Sequence, residues 1–167
     1  MKPRIRWKAI ALCILLATAL MTGTVVWGLA GTTLRITGMT AVVYTAGERE
    51  GEFGTLRALA QQNAVQGTVF DAVIPDEPEN YQFVCYRVRL KNNGLLPAEM
   101  AEIQLYPSAG DALYYSSGEE ITLNPGDEKE VWCVLLTRSD GMKTRSFRVT
   151  YYVWGNCMEV RGTHDGV

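Results

Sequence analysis

The stretch Tyr81-Gln-Phe-Val-Cys-Tyr-Arg-Val-Arg-Leu-Lys91 decides the fold class. In an extended chain, successive side chains point to opposite faces. Val84, Tyr86, Val88 and Leu90 then share one face, while Cys85, Arg87 and Arg89 share the other. An apolar row backed by cations describes a strand with one side in a core and one side in water. The same alternation returns in Phe147, Val149, Tyr151 and Val153, with Arg148 and Thr150 opposed.

Working outward, the segments Leu34–Tyr44, Thr68–Ile74, Ala98–Tyr106, Ile121–Leu123, Glu130–Thr137 and Arg145–Trp154 are rich in Val, Tyr, Phe and Thr and read as further strands. Turn residues separate them. Asn93-Gly94 closes one run, and Ser139-Asp140-Gly141 marks another loop. In Asn124-Pro125-Gly126-Asp127 the proline presets the first central φ and the glycine tolerates a positive second one, which predicts a type II turn. Gly155-Asn156 predicts a tight reversal into Cys157–Arg161. Many short strands with regular turns predict a mainly β fold, an Ig-like antiparallel β-sandwich over residues 32–161, then a flexible tail over 162–167. One segment departs from the pattern. Thr55–Val65 places Leu56, Leu59, Ala60 and Ala64 at helical spacing, with Gly67 to stop the helix. This short helix is expected to cover an open edge or core end of the sandwich. The acidic run Asp76-Glu77-Pro78-Glu79-Asn80 lacks the alternating oxygen ligands of a calcium loop and reads as solvated turn.

The interval Lys8 to Arg35 holds no charged residue. As a helix rising about 1.5 Å per residue, Ala9–Gly31 spans a hydrocarbon core roughly 30 Å thick. Trp7 and Trp27 stand about as far apart, where indole rings favour the two membrane boundaries. Lys2, Arg4, Arg6 and Lys8 are expected to hold the leading segment in the cytoplasm and send the following domain outward across the plasma membrane. Ala17-Thr18-Ala19 has the small-x-small form of a signal-peptidase site. Cleavage there would leave an apolar new N-terminus, so an uncleaved single-pass anchor is preferred over secretion.

A resemblance joins these pieces. Tyr86-Arg-Val-Arg-Leu-Lys-Asn-Asn-Gly94, then Ala101-Glu-Ile-Gln-Leu105, Ile121-Thr-Leu-Asn-Pro-Gly126 and the strand Val131–Leu136 follow one another in order. That succession resembles the small Ig-like sandwiches of bacterial cell surfaces, of the CARDB and related adhesion-type kind. The resemblance covers Phe83 to Val153, under half of the chain. It implies a bacterial envelope protein with a binding or spacer role. Antibody-type domains fit poorly, because no tryptophan follows Cys85 at their usual distance.

Charge and chemistry narrow the function. The net charge of −2 hides an asymmetry, since no acidic residue precedes Glu48. The net acidic outer part carries no basic stripe, which argues against nucleic-acid binding. His164, the one histidine, falls in the predicted tail, so a rigid Ser–His–Asp site is not expected. No Cys-x-x-Cys, His-Glu-x-x-His or glycine-rich phosphate loop occurs. The pairs Glu119-Glu120 and Asp127-Glu128 lie beside turns and read as solubilising charge. A non-enzyme without cofactor or metal is therefore expected. Cys85, Cys133 and Cys157 are read as free thiols, over a Cys85–Cys133 disulfide. Tyr106, Tyr152 and Trp154 form the candidate binding surface, for sugar rings or a protein partner. The chain thus reads as a membrane-anchored, non-catalytic binding or accessory module whose partners are the bilayer and an envelope protein or polysaccharide. A structural subunit with the sandwich as spacer is the alternative. An envelope hydrolase is a third, and would need carboxylates clustered in a cleft.

Added to intact cells, a protease is expected to cut the outer domain. A domain degraded only after the cells are opened would reverse the orientation.

Overall fold

A computed structural model describes residues 7–30, 34–116, 121–141 and 144–165. Helix α1 runs Trp7–Ala30 and is long and apolar enough to cross a membrane. Its apolar side chains stay exposed, with none of the Ala9–Val26 stretch buried against the strands. The hydroxyls of Thr18, Thr22 and Thr24 donate to carbonyls three or four residues back, at 2.8–3.0 Å, so the helix satisfies its own polar groups.

The rest is mainly β. Strands β1 (Leu34–Thr45), β2 (Gly67–Val69), β3 (Tyr81–Asn92), β4 (Ala98–Leu105), β5 (Asp111–Ser116), β6 (Ile121–Leu123), β7 (Glu128–Arg138), β8 (Thr144–Val153) and β9 (Asn156–Asp165) form two antiparallel sheets. The orders are β1-β3-β7-β5-β2 and β6-β4-β8-β9. Val84, Tyr86, Val88 and Leu90 of β3 meet Val131, Cys133 and Leu135 of β7 on one side of the main core. Ile103 and Leu105 of β4, with Phe147, Val149, Tyr151 and Val153 of β8, close it from the other sheet. Both inward rows read from the alternation are buried, and Arg87 and Arg89 are exposed.

The short helix α2 lies at Glu50–Gln61, about one and a half turns before the expected Thr55–Val65. Gly51 and Gly54 mask its start, since each weakens a helix by about 1 kcal/mol relative to alanine. Burial overrides that propensity: Phe53 is 1% exposed and Ala60 fully buried, with Leu56 half-buried between them, while Ala64 is exposed beyond the helix end. A 3-10 turn, Ala46–Arg49, leads in, and the Thr45 N–H donates to Glu48 Oε2 in a capping box. Gly67 does not stop the helix. It opens β2, where a Cβ would lie 2.2 Å from the Tyr114 carbonyl oxygen. Phe53 and Ala60 pack with Tyr81 and Phe83 of β3, Leu113 of β5 and Leu136 of β7 in a second core. The helix therefore covers one end of the outer face of the five-stranded sheet.

Other expectations shift. The run Thr68–Ile74 is strand only through Val69. Asp111–Ser116, absent from the sequence reading, is β5: Asp and Ala disguise it, but Ala112 and Leu113 are buried. Gly126 has φ +86° and the Asp127 N–H donates to the Asn124 carbonyl at 3.0 Å, as the type II turn requires. The final reversal is centred one residue earlier than expected, on Trp154-Gly155. Both have positive φ, +49° and +74°, and Val153 pairs with Asn156 across the turn. The expected tail from Gly162 is strand as far as Asp165. His164 consequently sits opposite Arg145, half-buried, with its ring 5.9 Å from that of Tyr86 in an edge-on arrangement.

Two groups of polar side chains are sealed in. Asn92, fully buried, donates through Nδ2 to the carbonyls of Leu96 and Leu123 at 2.8 and 2.9 Å. Its Oδ1 accepts the Gly94 N–H at 2.9 Å, so the end of β3 is fixed against the following loop and the end of β6. Arg145 of β8 reaches across the core to Asp111 of β5. The Nη2–Oδ1 distance is 2.7 Å and both side chains are 1% exposed. Asp111 Oδ2 accepts the Ser108 N–H at 2.7 Å. Burial pushes the neighbouring Tyr86 phenol up, opposed by the Arg145 charge.

Replacing one member of a buried ion pair strands its partner's charge, at a cost of about 3–5 kcal/mol. Asp111→Leu and Arg145→Met are each expected to lower stability on that scale. The double variant Asp111→Leu/Arg145→Met is expected to recover a large part of it. Chemical denaturation of the four proteins measures this; additive losses would mean the pair is not coupled. The thiols provide a second check. Cys133 faces the core and burial pushes it up to about 12, whereas Cys85, one register position away on β3, shares the opposite face with Arg87. Side chains pointing apart do not bridge, and all four cysteines are free. Maleimide labelling of native protein is expected to be equal with and without reductant, and to reach Cys133 only after unfolding.

Candidate functional site

The residues singled out from the sequence fall in separate places. Trp7 begins α1 and is 73% exposed. Lys2, Arg4 and Arg6 lie outside the described residues, as do Glu119 and Glu120 and the side chains of Lys8 and Trp27. Tyr152 lies on the outer face of the four-stranded sheet and Trp154 in the adjoining β8–β9 turn, and both are exposed. Tyr106 does not join them. Its N–H bonds the Ser146 carbonyl, whereas Tyr152 pairs with Glu99 at the far end of β4. Six strand residues separate the two places, roughly 20 Å. The three aromatics are not one surface.

A better-formed concavity lies on the other sheet. Because α2 covers only one end of that outer face, a step remains between the helix start and the bare strands. A groove of about 410 Å³ fills the step. Tyr44 of β1, Cys85 and Arg87 of β3, Trp132 and Val134 of β7 and Tyr115 of β5 line it, with Arg49 and Glu52 at its helical wall. Trp132 projects here because Val131, Cys133 and Leu135 turn inward on the same strand; the residue is 40% exposed. The register sets Arg87 directly across from Trp132.

The groove's polar groups are held in place. The Arg49 guanidinium lies 4.0 Å over the Tyr44 ring and its Nη1 donates to Glu52 Oε2 at 3.0 Å. The Tyr115 hydroxyl donates to Glu52 Oε1 at 2.9 Å. Burial, then the Glu52 carboxylate, pushes the Tyr115 phenol up, so it remains a hydrogen-bond donor at neutral pH. At the rim, Arg89 Nη2 donates to Glu130 Oε1 at 3.1 Å. Arg87 is exposed and makes no ion pair among the described residues. The wall is thus an aromatic floor with one uncommitted cation and two carboxylates already engaged by arginines. Among the described residues, no cluster of three or more His, Cys, Asp or Glu is placed to hold a metal ion.

Trp132 is not among the residues singled out from the sequence, although it lies on the sheet face that Cys85 shares with Arg87. The signal was present. The apolar alternation Val131, Cys133, Leu135 assigns Trp132 and Val134 outward. The helical wall was not legible, because α2 begins earlier than the pattern suggested.

No protein-family model matches the chain, and no curated protein does. Among solved structures, it is similar to a FixG-related protein from Vibrio parahaemolyticus, at 11% identity and a TM-score of 0.35. That match covers 77% of this chain and 94% of the other. It is also similar to the GAE domain of yeast GGA1, at 12% identity and a TM-score of 0.34, over 59% of this chain and 97% of that domain.

Proposed function

We propose that the chain is a membrane-anchored, extracytoplasmic module of Ig-like sandwich type that binds an envelope polysaccharide without catalysis. The groove beside α2 carries this reading. An exposed indole offers a flat apolar face to a sugar ring, and Arg87 alongside offers donors to hydroxyls or to the carboxylates of an acidic sugar. Glu52 already accepts from Arg49 and Tyr115, and Glu130 from Arg89, which suits carboxylates that shape a site better than ones that exchange protons. That arrangement supports binding over hydrolysis.

Anchoring is supported by α1. Its side chains find no cover on the domain, and its threonine hydroxyls are satisfied within the helix, as a lipid environment demands. The flanking cations Lys2, Arg4, Arg6 and Lys8 favour an outward domain.

Two measurements test the reading. The full chain is expected to stay with membranes through alkaline carbonate extraction; release into the supernatant would refute the anchor. Detergent-solubilised protein is expected to sediment with insoluble cell-wall polysaccharide, and Trp132→Ala to weaken that binding about tenfold or more. Tyr152→Ser/Trp154→Ser, on the opposite sheet, is expected to leave it unchanged. No sedimentation, or loss only with the Tyr152/Trp154 pair, would overturn the groove as the site.

A further inference from the structure

Two sheets have four edges, and the chain protects three of them. The β2 and β6 edges are three residues long, too short to template a partner strand. The β9 edge carries Glu159, Arg161 and Asp165 along its length, the charge that discourages further pairing. The β1 edge is different. From Thr37 to Thr45 it holds no charge and no proline, and Arg35 is its one ionic residue. Its inner side is bonded to β3 along the strand, and among the described residues no main-chain group bonds Arg35–Tyr44 from the other side. Val42 and Val43 are 39% and 38% exposed there, one toward each face of the sheet. A bulge at Ile36/Gly38 sits at the anchor end and leaves the following register regular as far as Thr45.

We infer that β1 is the seam of a homodimer, in which the β1 strands of two copies pair antiparallel about Ala41 and join two five-stranded sheets into one. The absence of charge favours a second copy over an unrelated segment, because an isologous pair sets each residue against its own sequence reversed. Any charge near the axis would then meet its like. About Ala41 the pairing is Met39 with Val43, Thr40 with Val42, and Gly38 with Tyr44. Each couple falls on one face of the joined sheet, as the pairing with β3 already assigns Met39, Ala41 and Val43 inward and the others outward. The Tyr44 ring lies over Gly38 of the other copy, an aromatic covering a glycine that has no side chain of its own. Residues 31–33 alone separate α1 from β1, so two anchored copies hold these edges at similar depth, and the shared surface raises their effective concentration. Their proximity rests on the proposed anchoring and not on what the groove binds, although Tyr44 borders both the seam and the groove.

The test uses the full chain in mild detergent, in a Cys13→Ser/Cys85→Ser/Cys157→Ser background. Light scattering is expected to give a dimer. Val42→Lys, which places two like charges beside the seam at an already exposed position, is expected to weaken self-association about tenfold or more. Thermal unfolding of the same variant checks that the domain remains folded, and Thr40→Lys serves if it does not. Ala41→Cys, which meets its own copy across the axis, is expected to oxidise to a covalent dimer. A monomer by light scattering overturns the proposal. So does a dimer unaffected by the lysine variants and without the Ala41→Cys cross-link.

Discussion

The ion pair between Arg145 and Asp111 is the constraint on which the rest of the domain depends. Asp111 begins β5 in one sheet and Arg145 lies near the start of β8 in the other, so the bond crosses the core and fixes the sheets against each other at that end. Apolar packing alone is tolerant of sliding, because burial is proportional to area and non-directional. A charge pair sealed from water is not: a displacement of a few ångströms strands two ions in a low-dielectric interior. The Arg145 Nε and Nη1 atoms find no acceptor among the described residues, so the contact with Asp111 carries most of the compensation. Asn92 plays a neutral version of that role at the end of β3, binding a loop carbonyl, the last carbonyl of β6 and a loop N–H at once.

With the sheets fixed, a single asymmetry creates the groove. Helix α2 buries Phe53 and Ala60 on the outer face of the five-stranded sheet, but it reaches only the Tyr81, Phe83 and Leu136 end. The uncovered remainder is where Cys85, Arg87, Trp132 and Val134 surface. A longer helix would have buried them and left no concavity; a missing one would have left Phe83 and Leu136 in water. The N-terminal turn also supplies the polar wall, since Glu52, an acidic residue that favours the start of the helix electrostatically, also holds Arg49 where it lies over Tyr44.

Much of the architecture was legible because strand parity is a local property. The rows Val84–Leu90 and Phe147–Val153 face inward as their alternation dictates, and the Asn124–Asp127 turn forms as proline and glycine require. Legibility failed where long-range contacts overrode local preference. Gly51 and Gly54 argued against a helix that Phe53 burial nevertheless pays for. Asp111 argued against a strand because nothing in its neighbourhood announced Arg145, 34 residues away. Gly162-Thr163-His164 looked like a solvated tail because its partners, Ser146 and Phe147 among them, stand on the preceding strand.

The candidate site divides along the same line. By itself the sequence determined an apolar first helix, a mainly β domain, the parity of its strands and the absence of familiar catalytic spacings. All of these follow from periodicity and composition within a few residues of chain. Tertiary structure alone decided that Tyr106 stands apart from Tyr152, that Trp132 and Arg87 are cross-strand neighbours, and that β1 rather than β9 is the unguarded edge. Those outcomes depend on which strands pair and in what register, and register is set by the whole buried face closing at once.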